Sequence, residues 1–491
     1  MRKDLRDKVI IAWVLAIILL GAGILRLYDL GEESLWLDEC FTLDYASKPV
    51  NLLIETLKKD VHPIGYYLPQ HLLMEYFGYS EISLRILSVF FGVLTVFLTF
   101  LLARKIFSWK EGLLAAFLVS ISYTSVLYSQ EAKMYSMFAA FFLLSLLSFI
   151  AFMKKPSVLN TLFFSVSVAL LLYTHIISLA ILAGYIVFYS TGYFFKQKKK
   201  DTVSPFFQRQ IFSPKFFLAL LMVFLLFLPW LNILAFYQLP LLYKSLGGKL
   251  IEKLGFDLLP LAVVVAAFLG LFYFITLYLV MADKINLNIL IGHLKRIFTY
   301  FSNQKIISLL LLSFIMMDLI WSRYFFSSVH IIRFGFFLLP LGYILLSRIL
   351  LRIKQNSLAT GFFILIVISA SAELYTYYDI DSKEQFHEAA EYIESHATSA
   401  DVLFLHRATI AKLCFDYYYS GNVEEVRLIT PGEDDYLLIE RASEKRDAYL
   451  ILSHNFHTKD YFKLRLDSLY ELKEERKFIG VTIYKYEVLE S

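Results

Sequence analysis

Charge is scarce in this sequence of 491 residues: 18% of it is Asp, Glu, Lys or Arg, while 58% is hydrophobic and 17% aromatic. A soluble protein of this length, about three domains at roughly 150 residues each, needs more polar surface than that to cover its cores. With a mean hydropathy of +0.60, the chain reads as an integral membrane protein. Neither sign of charge dominates: 47 basic and 43 acidic residues leave a net +4, which gives no reason to expect a nucleic-acid partner. Cysteine is nearly absent. Cys40 and Cys414 alone exclude a disulfide framework and a cysteine-rich metal centre, so any metal ligands must be His, Asp or Glu. No internal repeat is visible, which weakens a transporter reading.

What the sequence has in abundance is apolar runs near the 20 or so residues needed to cross a bilayer. Eleven are predicted, near residues 9–25, 86–103, 112–128, 134–153, 157–173, 176–195, 216–234, 258–281, 306–321, 334–347 and 361–375. The first follows a basic N-terminal stretch but lacks a small-residue cleavage site, so it reads as a retained helix and not a secretory signal. The connecting segments alternate in composition. Those at 1–8, 104–111, 154–156, 196–215, 282–305 and 348–360 hold about twice the Lys and Arg of the opposite set, in fewer positions. This places the N-terminus in the cytoplasm and the tail from about Asp379 outside.

The tail alternates strand-length apolar runs with amphipathic ones. Helices are expected at Glu384–Ser395, Thr409–Tyr419 and Lys459–Glu475, and strands at Asp401–His406, Val426–Thr430, Ala448–Ser453 and Val481–Val488. That order predicts a small extracytoplasmic α/β domain over 379–491 with a mostly parallel sheet, beside a polytopic α-helical membrane domain over 1–378. No glycine-rich phosphate loop follows any of these strands, which argues against nucleotide binding there.

Ionisable residues gather beside aromatics in the outer loops. Asp38 and Glu39 follow Leu35-Trp36-Leu37, which would seat them at the membrane interface, where partial desolvation suits a carboxylate to general-base work. Asp60 and His62 precede Pro63-Ile64-Gly65 and a short helix carrying His71 and Glu75; such a cluster is suited to a divalent cation or a substrate hydroxyl. Gln130-Glu131-Ala132-Lys133 opens the fourth span, whose N-terminus faces outward, so Lys133 and the free N–H groups would attract a phosphate. Glu131 and Tyr135, four apart, share a face of it. His175 lies in a two-residue connection between spans, where an ionisable group needs a partner. Arg323 and Arg333 flank the loop before the tenth span and suit an anionic lipid or phosphate diester.

These motifs, in the order Trp36-Leu-Asp-Glu, Asp60-x-His-Pro-x-x-Tyr-Tyr67, Ser80-Glu-Ile-Ser-Leu-Arg85, Gln130-Glu-Ala-Lys-Met-Tyr135 and Tyr173-Thr-His175, resemble the GT-C superfamily of polytopic glycosyltransferases. The likeness is to its bacterial branch similar to dolichyl-phosphate-mannose protein mannosyltransferases and aminoarabinose transferases, and it covers roughly residues 1–350. The resemblance implies inverting transfer of a sugar, hexosyl or pentosyl, from a polyprenyl-phosphate donor to a hydroxyl of a lipid, glycan or protein acceptor at the outer face of the inner (plasma) membrane. By position it implies Asp38 as catalytic base with Glu39 beside it. It also implies Lys133, Arg333, Tyr135 and Arg85 around the donor phosphate, and Asp60, His62, Glu131 and His175 as substrate or metal contacts. If a divalent metal is used, its candidate ligands are Glu39, Asp60, His62 and His175. The sequence departs from the family in His62-Pro63-Ile64, where a second proline is commoner, and in Lys133, where arginine is usual. Lysine keeps the charge and loses the bidentate fork. A multi-span transporter or glycolipid flippase is the alternative reading.

Overall fold

A computed structural model describes residues 2–186, 214–241, 335–406, 410–428, 446–453 and 459–488, with Tyr189, Arg333 and Ile439. The expected spans at 258–281 and 306–321, and Arg323, lie outside these. Five described helices are long and apolar enough to cross a membrane: Leu5–Leu27, Glu81–Ile106, Tyr135–Lys154, Pro214–Leu241 and Asn356–Asp379. This is a multi-pass membrane protein. The chain forms two compact units, one of Met1–Tyr28, Pro49–Gln70 and Ile86–Tyr375, the other of Asp29–Lys48, His71–Arg85 and Thr376–Ser491. The expected boundary near 378 accordingly marks one of several crossings. Two pieces of the first loop belong with the tail, because ion pairs and a disulfide tie them to it.

The first unit is helical. Its elements are α1 (Arg2–Leu27), α3 (Val50–Leu57), most of α5 (Glu81–Ile106), α6 (Trp109–Ser120), α7 (Tyr123–Leu127), α8 (Tyr135–Lys154), α9 (Val158–Thr174), α10 (Pro214–Ile233), α11 (Leu339–Leu350) and most of α12 (Asn356–Asp379). Helix α2 (Leu37–Ala46) belongs to the second unit, and α4 (Tyr67–Phe77) divides between the two. Helix α8 is buried almost all round, whereas α1 exposes Trp13, Ile17, Leu20 and Ile24, a surface that only lipid covers without penalty.

The expected span at 112–128 is broken in the structure: α6 ends at Ser120 and α7 starts at Tyr123. Arg26 explains the break. Its fully buried guanidinium donates to the Ser120 and Val119 carbonyls at 3.1 and 3.4 Å, to Ser125 Oγ at 2.8 Å and to Ser129 Oγ at 3.1 Å. Carbonyls left unpaired at the end of a helix are satisfied by this cation, which also complements the helix dipole. Gly92 of α5 admits the arrangement. A Cβ there would stand 2.1 Å from Ser129 Oγ and 3.0 Å from Arg26 Nε.

The second unit is built on a five-stranded sheet of order β2-β1-β3-β5-β4, from β1 (Val402–His406), β2 (Glu424–Leu428), β3 (Ala448–Ser453), β4 (Tyr470–Phe478) and β5 (Val481–Val488). Helices α13 (Phe386–His396), α14 (Ile410–Tyr418) and α15 (Lys459–Asp467) lie where helices are predicted, except that α15 stops early. The residues after it form β4, an antiparallel partner of β5 joined through Ile479 and Gly480, the latter at φ 71°. Only β1 pairs in parallel, with β2 and β3, so the sheet is mixed and not mostly parallel. The charged run Glu471-Leu-Lys-Glu-Glu-Arg-Lys477 reads as a helix by composition; it is an exposed edge strand, the place where charge protects unpaired backbone from association. Phe404, Leu450, Phe462, Leu466 and Tyr486 form part of the core. Cys40 and Cys414 are joined in a disulfide, with Cα atoms 5.4 Å apart, linking α2 to α14.

Gly92→Ala is expected to lower the detergent melting temperature by the equivalent of about 1–3 kcal/mol, the usual range for overpacking a core. Alanine tolerated with no shift would refute the close approach of α5 to Arg26.

Candidate functional site

In the second unit the acidic pair of the first loop opens α2, where acidic side chains suit the helix dipole. The two carboxylates differ. Glu39 has no solvent exposure; Arg85 Nε and Nη2 donate to its Oε1 and Oε2 at 2.9 and 2.8 Å, and Lys383 Nζ lies 3.5 Å from Oε2. Arg85 also donates to the carbonyls of Leu30 and Ser34 at 2.8 and 3.1 Å. These contacts pair two of the expected site residues, Glu39 and Arg85, with each other. Asp38 is half-buried, with its carbonyl accepting from Thr42 Oγ1 at 3.1 Å. His71 holds the other end of α2: Nδ1 is 2.8 Å from the Ala46 carbonyl, and Nε2 is 3.4 Å from Glu75.

In the first unit, Asp60 and His62 meet as expected, with Oδ1 2.8 Å from His62 Nδ1. Two elements hold this loop. Gly65 N–H donates to the Tyr173 carbonyl at 2.8 Å, and a Cβ at Gly65 would lie 2.5 Å from that oxygen. Gln238, in a π-helical turn at Leu234–Gln238, donates to the His62 carbonyl at 2.8 Å and the Leu57 carbonyl at 3.3 Å, and accepts from Trp230 Nε1 at 3.2 Å. Such π-turns often mark working sites. The His62 ring is 6.3 Å from that of His175 and 6.5 Å from that of Tyr67. Lys133 Nζ lies 5.9 Å from the Tyr67 ring centroid.

Lys133 is only 4% exposed and Glu131 6%, so neither is an ordinary interface charge. Tyr128 and Tyr135 pack edge to face at 5.1 Å. Glu131, Arg333 and Tyr135 all act electrostatically on the Tyr128 phenol, which brings three of the expected residues together, with Lys133 nearby in sequence. Ser88, on α5, accepts or donates to Tyr66 at 2.9 Å and donates to the Lys133 carbonyl at 3.1 Å, fixing the backbone that carries the cation.

His175 follows the last residue of α9 in the connection to the next helix. Its Nδ1 accepts from Ile177 N–H at 3.1 Å, which assigns the proton of the neutral ring to Nε2. Burial, with His62 as the second cause, pushes its pKa down from 6.5 to about 3. The proposed metal set does not fit this arrangement. Glu39 is bonded to Arg85, and among the described residues no three His, Cys, Asp or Glu side chains group to hold an ion.

Sequence reasoning missed Arg26, Gln238, Lys383 and Tyr418. A charge inside an apolar span is itself a signal and could have revealed Arg26; Lys383 and Tyr418 act across more than 300 residues of sequence and carry none.

Arg85→Met strips the bidentate cation from a carboxylate with no access to water, leaving only the more distant Lys383, and is expected to cost about 3–5 kcal/mol, read as loss of monodisperse protein in size-exclusion chromatography, while Asp38→Asn elutes normally. A stable Arg85→Met protein would deny the pair its role. For His175, the unfolded ring binds protons below pH 6.5 and the folded ring only below about 3; stability therefore falls as pH drops through that window. His175→Asn should flatten that part of the stability profile, and an unchanged profile would show that the ring titrates normally.

Residues 61–233 match the family model of dolichyl-phosphate-mannose-protein mannosyltransferase. No curated protein matches the sequence. Among solved structures, the oligosaccharyltransferase of Archaeoglobus fulgidus in complex with Zn and sulfate is similar at a TM-score of 0.50 and 13% identity, over 97% of this chain and 73% of that one. The same archaeal enzyme, AglB, in complex with an inhibitory peptide and a dolichol-phosphate gives a TM-score of 0.50 and 13% identity, over 97% and 74%. ArnT from Cupriavidus metallidurans bound to undecaprenyl phosphate gives 0.47 and 11%, over 96% and 98%. The described fold is thus similar to that of the archaeal oligosaccharyltransferase, and residues 61–233 are similar to the mannosyltransferase model.

Proposed function

We propose that the protein transfers a hexosyl or pentosyl group, with inversion, from a polyprenyl-phosphate donor to a hydroxyl of a glycan, lipid or protein at the outer face of the plasma membrane. The observation that carries the reading is the division of labour in the Asp38-Glu39 pair. Glu39 is held by Arg85, and Asp38, half-buried on the first turn of α2, is the carboxylate assigned to receive the proton. The acceptor oxygen attacks the anomeric carbon on the face opposite the phosphate, and its proton passes to Asp38. The bond to the phosphate oxygen breaks with its electron pair, releasing polyprenyl phosphate. A phosphate leaves as an anion and needs no acid, only compensation of charge, a task suited to the buried Lys133 with Arg333 and the Tyr135 hydroxyl. Asp60, His62, Glu131 and His175 are assigned to substrate contact, with His175 a neutral donor through Nε2.

Several observations support this reading. The matching family is named for a dolichyl-phosphate sugar, and the archaeal relative is held with a dolichol-phosphate. The Cys40–Cys414 disulfide fits an oxidising compartment for the first loop and the tail, in keeping with eleven spans, a cytoplasmic N-terminus and an extracytoplasmic C-terminus. In a detergent assay with labelled polyprenyl-phosphate sugars and a membrane extract as acceptor, the wild-type protein should move label. Asp38→Asn should lose about 10²–10⁴-fold in rate, the usual worth of a general base, while remaining folded. Full activity in that variant would remove Asp38 as base; sugar-independent lipid scrambling in liposomes would favour the flippase.

A further inference from the structure

The second unit contains an arrangement that the proposed chemistry does not by itself require. The segment leading into α2 has its backbone groups claimed one after another by side chains 350 or so residues away. Tyr418 OH accepts from Leu35 N–H at 2.7 Å, and Glu384 Oε2 accepts from Leu37 N–H at 3.0 Å. Ser34 Oγ donates to Glu388 Oε2 at 3.0 Å and accepts from His387 N–H at 3.2 Å. Glu33 Oε1 accepts from Ser382 N–H at 2.8 Å, and Lys383, itself buried, stands between Glu33 at 3.8 Å and Glu39 at 3.5 Å. The Cys40–Cys414 bond ties the next turn of α2 covalently to α14.

The pattern is selective. Leu37 is the first residue of α2, immediately before Asp38, and its N–H is one of the groups a helix leaves unpaired at its start. Its partner here is a carboxylate from the tail and not a local capping side chain. The direction in which Asp38 leaves the helix is set by the backbone of residues 35–37; of its three N–H groups those of Leu35 and Leu37 are fixed by the tail, and that of Trp36 donates to Glu39 Oε2 at 3.5 Å.

We propose that Glu384 and Tyr418 are positioning residues for Asp38, and that the C-terminal α/β domain serves as the scaffold of the catalytic loop. The proposal rests on Asp38 being the base. A base misplaced by even 1 Å loses rate while the sites that bind donor and acceptor stay formed. Loss of either bond is therefore expected in kcat and not in the donor KM.

The experiment uses the full-length protein in the transfer assay with a polyprenyl-phosphate sugar. Glu384→Ala and Tyr418→Phe should each lower kcat by about tenfold, the fold-change of one hydrogen bond lost on the way to the transition state, with the donor KM unchanged. Glu384→Gln keeps an acceptor oxygen for Leu37 N–H and should recover most of the rate. Melting temperature and the non-reducing gel position of the Cys40–Cys414 bond verify that each variant is folded. If the wild-type protein is active and the two truncations match it, or if they raise the donor KM and leave kcat alone, the tail does not position the base. If Gln fails to restore what Ala loses, the Leu37 bond is not the cause. A wild-type protein that moves no sugar overturns the transferase reading itself, a result distinct from any of these.

Discussion

A carboxylate with no access to water cannot remain charged without a cation held against it, and Glu39 meets that condition through Arg85. Much in the second unit follows. Arg85 has donors left after the pair is made, and these hold the Leu30 and Ser34 carbonyls, so one guanidinium gathers the loop that precedes α2. Lys383 brings a second positive charge to the same carboxylate and, through Glu33, recruits the start of the tail. The acidic residue beside Asp38 is thus tied to two cations, one from the first loop and one from the tail.

The first unit solves a related problem with neutral groups. Arg26 is satisfied in part by helix-terminal carbonyls and serine hydroxyls, and His175 is kept uncharged by burial. Lys133 lies near the Tyr67 ring, within range of a cation–π contact. Gln238 and Gly65 then fix the Asp60–His62 loop by main-chain bonds, which constrain position without contributing charge.

Much of this was legible in the sequence, for identifiable reasons. Spans show because lipid demands continuous apolar length, and Asp60 with His62, two residues apart, are neighbours under almost any local geometry. Strands β1 and β3 announce themselves as wholly buried apolar runs. What escaped is what composition disguises. The edge strand β4 carries the charges of a solvent-facing helix, and the broken α6–α7 span is uniformly apolar because its interruption comes from Arg26, a residue on another helix. The roles of Glu39 and Arg85 depend on an approach across 46 residues of sequence, and those of Glu384 and Tyr418 on one across more than 340. Spacing within a motif carries no trace of such partners.

The disulfide has a consequence for how the protein is made. Cys40 emerges early and its partner lies 374 residues later, an interval of tens of seconds at about 5–20 residues per second of synthesis. The loop bearing Asp38 is thus among the first segments delivered and among the last completed. During that interval Glu39 and the backbone of Leu35 and Leu37 await tail partners that have yet to be translated. A chain released before residue 382 lacks every tail partner of that loop, and one released before Cys414 cannot close the disulfide; the loop is complete only once translation has passed Tyr418.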